Sequence, residues 1–226
     1  MFTFKGISST DMGVFVTEHF PLPVSIERVE EETVPSRDGV VTYSDGSYDG
    51  SEIKGKVTVM PSDSSLDQVS DWLRGWGELI LPGAPDRMFI ARVSNLVPIE
   101  QFIQNEVYTF PLSFKCQPFG YLLSGQQEVT LQQGKVTNPG NMPAKPIIMC
   151  TGNGAESTIV INGQTLTVVA GSGDKILIDC DNEEVINLTT NKLHRYRGDM
   201  PVFNVGENNV EQVSGSFTIK YNWRNK

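Results

Sequence analysis

The chain has 226 residues, which is enough for one large domain or for two modest ones, each with its own hydrophobic core. Hydrophobic residues make up 38% of it and charged residues 20%, and no apolar run approaches the roughly 20 residues that a membrane-spanning helix needs. The formal net charge is −9, with nine Asp/Glu against three Lys/Arg in residues 1–50. Because binding to a phosphate backbone needs clustered Lys and Arg, we expect no specific nucleic-acid binding. The lack of a long apolar run predicts no membrane insertion.

The N-terminal segment carries signals about targeting and about the surface. It reads MFTFKGISSTDMG and lacks a basic region followed by a long apolar stretch, so we expect no secretory signal and a chain made in the cytosol.

Further on, Glu30, Glu31 and Glu32 form an acidic run, which is typical of a solvated strand or loop face. An acidic wall that repels nucleic acid is the alternative interpretation of this run.

Three Asp-Gly steps lie close together, beginning at Asp38, Asp45 and Asp49. A calcium-binding loop of the EF-hand type would need oxygen ligands at alternating positions and a glutamate at its twelfth position. The three aspartates are instead seven and four residues apart, with Val, Thr, Tyr and Ser between them. Because Asp-Gly is also a preferred pair in tight turns, the sequence predicts a β-hairpin arm over residues 34–52 and no metal site.

A single helix is predicted over residues 64–76. Ser65 can cap its first turn, and Gly75 is suited to end it. The residues at helical spacing, which we expect on its buried face, are Leu66, Val69, Leu73 and Trp76. We expect Trp72 and Trp76 to pack in the core rather than to stack on a sugar.

Alternating apolar and polar residues predict strands along the rest of the chain. The clearest runs over residues 216–224, where every second residue is Phe, Ile, Tyr or Trp. Asn162-Gly163 indicates a hairpin with a type I′ turn between the strands on either side of it. Further strands are predicted at residues 53–59, 87–93, 108–116 and 176–180. Pro111, within the third of these, favours an edge strand or an irregular stretch.

Residues 132–147 mark a change of composition, since they are rich in Gly, Pro and Asn and almost without apolar side chains. They predict a boundary between an N-terminal domain, residues 1–136, and a smaller all-β domain, residues 137–226. Three cysteines, Cys116, Cys150 and Cys180, lie in or beside apolar β-like runs and form no Cys-x-x-Cys pair. We therefore expect buried thiols rather than a disulfide framework or a zinc site.

No pattern for catalysis is present in the sequence. The two histidines, His19 and His194, lie far apart, and neither belongs to a motif such as G-x-S-x-G or H-E-x-x-H. A pair of carboxylates for glycoside hydrolysis stays open, because any two of the 27 acidic residues could meet in space. The sequence predicts a non-enzymatic protein without a cofactor.

Several motifs built from turns and strands occur in order along nearly the entire chain. They are FTFKGISSTDMGVFV at the start, VPSRDG near residue 35, NPGNMPAKPII, INGQTL, and GDMPVFNVGENNV followed by SGSFTIKYNWRN at the end. By their order and spacing the chain resembles the distal tail proteins of long, flexible-tailed (siphovirus-type) bacteriophages and related prophages.

The resemblance implies a mainly β fold with two β-sandwich-like domains. The N-terminal one would carry a single α-helix and a β-hairpin arm and would form the ring, and the C-terminal one would be galectin-like. The family forms a homo-hexameric ring at the distal end of the virion tail, assembled in the host cytoplasm, which is the hub between the tail tube and the host-adsorption apparatus. The implied partners are the tail tube protein, a tail-associated lysin or tail fibre, and other baseplate proteins. DNA would pass through the ring, and we take an acidic lumen formed by residues 1–50 as a hypothesis.

A ring subunit must present strand edges that its neighbours complete, and a protruding hairpin is a common way to do so. The candidate subunit-interface residues are therefore those of the predicted arm: Arg37, Asp38, Gly39, Tyr43, Asp45, Tyr48 and Asp49. The alternative function is a carbohydrate-binding module in the C-terminal domain, which requires a cluster of exposed aromatic side chains. We expect Phe217, Tyr221 and Trp223 to line one strand face in the core instead.

Overall fold

The computed structural model describes residues 1–60, 66–94, 100–103, 107–189 and 195–226. Within these ranges the chain is mainly β with one α-helix, which confirms the predicted fold class. It forms two compact units, residues 1–120 and 121–225, and Lys226 is grouped with the first. No helix in the described ranges is long and apolar enough to cross a membrane.

The first unit contains one large antiparallel sheet, a separate two-stranded ribbon and the helix. Its elements are β1 (Thr3–Phe4), β2 (Ile7–Ser8), β3 (Val14–Glu18), β4 (Ile26–Glu32), β5 (Val41–Asp49), β6 (Glu52–Val59), α1 (Leu66–Leu73), β7 (Trp76–Leu81), β8 (Ala84–Val93), β9 (Glu100–Ile103) and β10 (Val107–Leu122). The order in the main sheet is β2-β1-β7-β8-β10-β6-β3, with β9 paired to β10, and the ribbon is β4-β5. The strands predicted at residues 53–59 and 87–93 are confirmed as β6 and as part of β8.

Aromatic side chains from the first strand, the helix and β10 form the centre of this unit's core. Phe2 stacks on Trp72 at 5.7 Å between ring centroids and meets Phe114 edge-on at 5.6 Å. Burying the Trp72 indole leaves its N–H without water, and that group donates a 2.9 Å hydrogen bond to the carbonyl of Phe4. The N-terminal strand is therefore held to the helix by both packing and a buried hydrogen bond.

The helix ends three residues earlier than the sequence predicts. It runs over Leu66–Leu73, and Gly75, with φ of +79°, takes the left-handed conformation that ends many helices. Trp76 begins β7 and is about half exposed, so its placement on the buried helix face is wrong, whereas Val69, Trp72 and Leu73 are buried as predicted. Ser65, the predicted cap, lies outside the described residues.

The second unit is a sandwich of two five-stranded sheets. Its elements are a 3-10 turn (Leu123–Gly125), β11 (Val129–Thr130), β12 (Gly134–Asn138), β13 (Ile147–Thr151), β14 (Glu156–Ile161), β15 (Gln164–Val169), β16 (Lys175–Asp179), β17 (Glu184–Asn187), β18 (Arg195–Gly198), β19 (Gly206–Ser214), β20 (Ser216–Lys220) and β21 (Arg224–Asn225). The sheet orders are β11-β20-β13-β16-β17 and β12-β19-β14-β15-β18. Residues such as Ile148 and Ile219 from the first sheet and Ile159 and Val210 from the second share one core.

The second unit begins at residue 121, whereas the composition change placed the boundary after residue 136. The reason is strand pairing, because β11 pairs with β20 and β12 pairs with β19. Leu131, between β11 and β12, is buried in the second core. The polar, glycine-rich and proline-rich segment 132–147 therefore lies inside the second unit, where it contains β12 and the chain leading to β13.

One predicted hairpin is confirmed, and one predicted strand is shorter in the structure than in the sequence pattern. The Asn162-Gly163 turn is confirmed, since both residues have positive φ and β14 and β15 pair directly on either side. The strand predicted over residues 216–224 instead stops at Lys220, because Asn222 adopts φ of +53°, which a strand does not allow. Tyr221 and Trp223 lie on either side of this break and stack on each other at 4.4 Å.

Pro111 lies within β10, which has neighbours on both sides in the main sheet, so its predicted edge position is wrong. Its partner across the ladder is Lys56, and the register with β6 runs through this pair without a shift. A proline removes one donor from a ladder without breaking the strand's register, and β10 continues for eleven residues beyond it.

The three cysteines are free and buried, as the sequence predicts. Burial raises the pKa of Cys116 and of Cys180 to about 12, and it also raises the pKa of Cys150. We expect none of the three to react with iodoacetamide at about pH 8 in the folded protein, where a free cysteine reacts readily, and all three to react after unfolding. Mass spectrometry after brief alkylation measures this, and rapid labelling of the native protein at any of the three would contradict it.

Replacing Phe114 by alanine should destabilise the first unit by about 3–5 kcal/mol, because the side chain is fully buried among aromatic rings and leaves a cavity. The matched control is Phe15→Ala on the edge strand β3, where the ring is 38% exposed. The control should cost less than about 1 kcal/mol in the free energy of unfolding. Urea denaturation of both variants makes the comparison, and equal losses would show that the core assignment is wrong.

Candidate assembly surfaces

The β4-β5 ribbon, residues 26–49, is largely exposed, and we call it the arm. Its register runs from Ile26 opposite Asp49 to Glu32 opposite Val41, and all seven residues of β4 are exposed. Among the described residues, no third strand pairs with either of its edges. A two-stranded ribbon is marginally stable by itself and offers backbone donors and acceptors for pairing with another chain.

The arm begins earlier in the chain than the sequence predicts. The sequence predicts the arm over residues 34–52, but its first strand is β4, which contains the acidic run of Glu30, Glu31 and Glu32. These glutamates lie on a strand and are exposed in the single chain, as a solvated strand face would be. The predicted segment supplies the connecting loop and β5, and its last residue, Glu52, opens β6.

The three Asp-Gly steps have three different structural roles. Asp38-Gly39 lies in the loop between the strands, where Gly39 has φ of +80°. Asp45-Gly46 is a bulge within β5, where the register shifts between Glu27 and Val29 on the facing strand. At the base of the arm, a Cβ on Gly50 would lie 1.9 Å from the Cys116 carbonyl oxygen. None of the three steps forms the tight hairpin turn that the sequence predicts, and the hydrogen-bonded turn in the loop is at Pro35-Ser36, where the Arg37 N–H donates to the Val34 carbonyl.

Two of these aspartates, Asp45 and Asp49, form hydrogen bonds within the arm itself. Asp49 accepts a 2.5 Å hydrogen bond from the Arg28 guanidinium, and this bond lowers the pKa of the Asp49 carboxyl. Asp45 accepts a 2.8 Å hydrogen bond from the Ser47 backbone N–H, and its hydrogen bonds to Ser47 lower its pKa as well. Within the described ranges, no three acidic, histidine or cysteine side chains are grouped so that they could hold a metal ion.

The predicted interface residues are spread along the whole arm. Arg37, Asp38 and Gly39 are exposed in the loop at its tip, and the others follow along β5. Tyr43 is 60% exposed, whereas Tyr48 is half-buried near the base and packs edge-on against Phe119 at 5.6 Å. The structure thus divides the predicted set into an accessible outer part and an anchoring inner part.

The arm surface also contains residues that the predicted set leaves out. Arg28 and Glu30, which are not in that set, line a depression of about 230 Å³ on one face of the arm together with the predicted Tyr43 and Asp45. Exposed apolar side chains follow the arm and the chain leading into it: Leu22, Val24, Ile26, Val29, Val34, Val40 and Tyr43. So many apolar side chains on one thin element are typical of a contact surface. Ile26 and Val29 are three residues apart among charged side chains, so no alternating pattern in the sequence marks this strand.

A second surface lies on the outer face of the main sheet. The burial of β6 alternates strictly from Glu52 to Val57, so Lys54 and Lys56 point outward while Ile53, Gly55 and Val57 point into the core. With Glu18 and Pro111 these two lysines line a depression of about 320 Å³. The Lys54 side chain is 71% exposed, and Lys56 is exposed as well.

The second unit offers little surface for stacking on a sugar. Of the aromatic residues after residue 137, Phe203, Phe217 and Trp223 are buried, and Tyr221 stacks on Trp223. Tyr196 is 48% exposed on β18, and the described residues place no other exposed aromatic ring in this unit. The outer face of the β20-β13-β16 layer instead carries apolar side chains, with Ile147, Met149 and Leu177 around a depression of about 190 Å³.

Two mainly β units, the first with a helix and an arm, define the fold, and solved structures that share it include bacteriophage adsorption and baseplate proteins. The chain matches the crystal structure of the SPP1 Dit protein, described as a paradigm of the hub adsorption apparatus in phages that infect Gram-positive bacteria. The match has a TM-score of 0.63 and 18% sequence identity and covers 97% of both chains. The resemblance to distal tail proteins is thus confirmed at the level of the fold.

Structures of the phage P2 baseplate match more distantly. In the activated conformation with Ca the match has a TM-score of 0.52 and 10% identity, and it covers 97% of this chain and 92% of the other. In the activated conformation with Sr the values are 0.51 and 9%, with 94% and 91% covered. No protein-family model and no curated protein sequence matches the chain.

Replacing Asp49 by asparagine should loosen the base of the arm, because it removes the charged acceptor of the Arg28 bond. We expect lower hydrogen-exchange protection in β4 and β5 and unchanged protection in β6, while Asp38→Asn, in the loop, should change neither. Since the folded-state pKa of Asp49 is lowered, its contribution is present above the ordinary aspartate value of about 4 and is lost as the pH falls through the lowered pKa. An unaltered arm in Asp49→Asn would contradict this role.

Proposed function

We propose that this protein is a distal tail protein, a structural component of the tail tip of a long-tailed phage or prophage. The observation that carries the proposal is the fold match to SPP1 Dit over 97% of both chains, which includes both units. Sequence identity of 18% supports a shared fold, and the order of the sequence motifs gives independent support for the same family. The role is mechanical and involves no chemical step.

In this proposal the protein forms a hexameric ring, the hub that joins the tail tube to the host-adsorption apparatus at the distal end of the virion tail. Its partners are identical subunits, the tail tube protein, and a tail-associated lysin or tail fibre with other baseplate proteins. Contacts between different patches of successive identical subunits close into a ring when the rotation per subunit divides the circle. DNA passes through such a ring without being held.

The arm is the element that we assign to the contact between neighbouring subunits. It exposes both faces and carries a row of exposed apolar side chains, and no other strand of the described ranges pairs with its edges. Its base is attached to the main sheet, with the Val24 N–H donating a 3.1 Å bond to Ser51 Oγ and Tyr48 packing on Phe119. An element anchored at one end and free along its length can reach an adjacent subunit without disturbing the core.

Removing the arm tests this role. Ile26 and Asp49 are directly opposite each other, so residues 27–48 can be replaced by an Asn-Gly turn without opening the sheet. We expect wild type, alone or with its tail tube partner, to form a ring of about six times the 25.0 kDa chain mass, and the shortened chain to stay monomeric. Light scattering at several concentrations and negative-stain images measure the two states.

A control for this experiment changes a surface far from the arm in sequence and leaves the ring intact. Tyr196→Ala removes the exposed ring on β18 in the second unit and should form the same ring as wild type. Circular dichroism and thermal unfolding must show that the shortened chain keeps its fold. A wild-type protein that is monomeric under all conditions would contradict the ring, and rings formed without residues 27–48 would contradict the assignment of the arm.

A further inference from the structure

We infer that the arm of one copy docks on the lysine pair, Lys54 and Lys56, of the next copy through the acidic pair, Glu30 and Glu32. This inference rests on the proposed ring and names the two surfaces that meet in it. The occupant of the depression beside the lysine pair is therefore a second copy of this chain. The argument comes from charge, from spacing and from the neighbours of each group.

The acidic charge of the chain is concentrated on the arm. Residues 26–49 contain seven of the 27 acidic residues and two of the 18 basic ones, so a short ribbon carries an excess of five negative charges. Arg28 lies on the same face as Glu30 and Glu32, but it is bonded to Asp49. Within the described residues, neither member of the acidic pair forms an ion pair.

The lysine pair is the complementary feature on the main sheet. Glu52 lies 3.5 Å from the Lys54 ammonium group, and Glu18 lies across the ladder from Lys56. Among the described residues Lys56 forms no ion pair, and Lys115, opposite Glu52 on β10, adds a further positive charge to this face. Two exposed ammonium groups beside an open depression form a suitable site for carboxylates from another chain.

The two pairs have the same spacing. Both are residues i and i+2 of an extended strand, so their side chains point to one face about 6–7 Å apart. Each pair also has an apolar side chain directly across the ladder, with Tyr43 opposite Glu30 and Pro111 opposite Lys56. When β4 of one copy lies along β6 of the next, its two carboxylates can therefore meet the two ammonium groups while the arm stays extended.

Charge reversal with mixing tests the pairing. Glu30→Lys/Glu32→Lys changes the arm, and Lys54→Glu/Lys56→Glu changes the sheet. Each variant alone should raise the protein concentration needed for half-assembly at least tenfold, because every interface then places like charges together. In an equimolar mixture an altered arm meets an altered sheet and a natural arm meets a natural sheet, so rings with an even number of alternating copies should form again. Light scattering and native mass spectrometry identify these mixed rings.

The control variant is Glu183→Lys/Glu184→Lys, which reverses two exposed charges on the second unit and should assemble like wild type. Circular dichroism checks that each variant is folded, and the milder Glu30→Gln/Glu32→Gln and Lys54→Gln/Lys56→Gln replace any that is not. With neutral pairs, assembly should weaken in each variant and should lose its dependence on salt.

The outcomes separate the docking from the proposed ring. If wild type forms rings and both reversed variants form them equally well, the docking is wrong and the ring stands. If both variants fail and the mixture fails too, the pairing of these four residues is wrong. If wild type stays monomeric both alone and with its tail partners, the ring itself is wrong, and the docking with it.

Discussion

The arm depends on one close contact at its base, where the chain passes from β5 into β6. Gly50 lies so near the carbonyl oxygen of Cys116 that a Cβ would be 1.9 Å from it. The next residue, Ser51, accepts a 2.9 Å hydrogen bond from the Cys116 N–H through its carbonyl and a 3.1 Å bond from the Val24 N–H through its hydroxyl. Both strands of the arm are thus fixed to β10 and β6 at one place, and the rest of the ribbon extends from there.

Much of the fold follows from patterns that a sequence displays directly. The alternation in β6 and in β8 was sufficient to predict both strands, and Asn162-Gly163 predicted its hairpin because few residues other than Asn and Gly accept two successive positive φ angles. The errors arose where one residue overrode a regular pattern. Asn222 ends a strand whose alternation continues to Arg224, and Gly75 ends a helix whose spacing continues to Trp76.

The candidate surface was partly predictable. The Asp-Gly steps correctly indicate an arm, but the sequence does not identify β4 as its first strand. All seven residues of β4 are exposed, so the strand has no buried face and its sequence shows no alternation of apolar and polar residues. Pairing with β5, which only the three-dimensional structure supplies, explains its extended form. The lysine pair could have been found from the sequence, since Lys54 and Lys56 alternate with the core residues of β6, but nothing in the sequence indicates what faces them.

The close contact at Gly50 has a consequence for the accuracy of the arm's position. The seven residues of β4 span about 23 Å, so a tilt of one degree at the base displaces the tip by about 0.4 Å. In a closed circle of identical parts, such a deviation recurs at each joint and adds up around the circumference. The absence of a Cβ at Gly50 thus lets the base of the arm lie against Cys116 and so sets the direction of the arm. A larger residue there would misdirect the tip even if the first unit still folded.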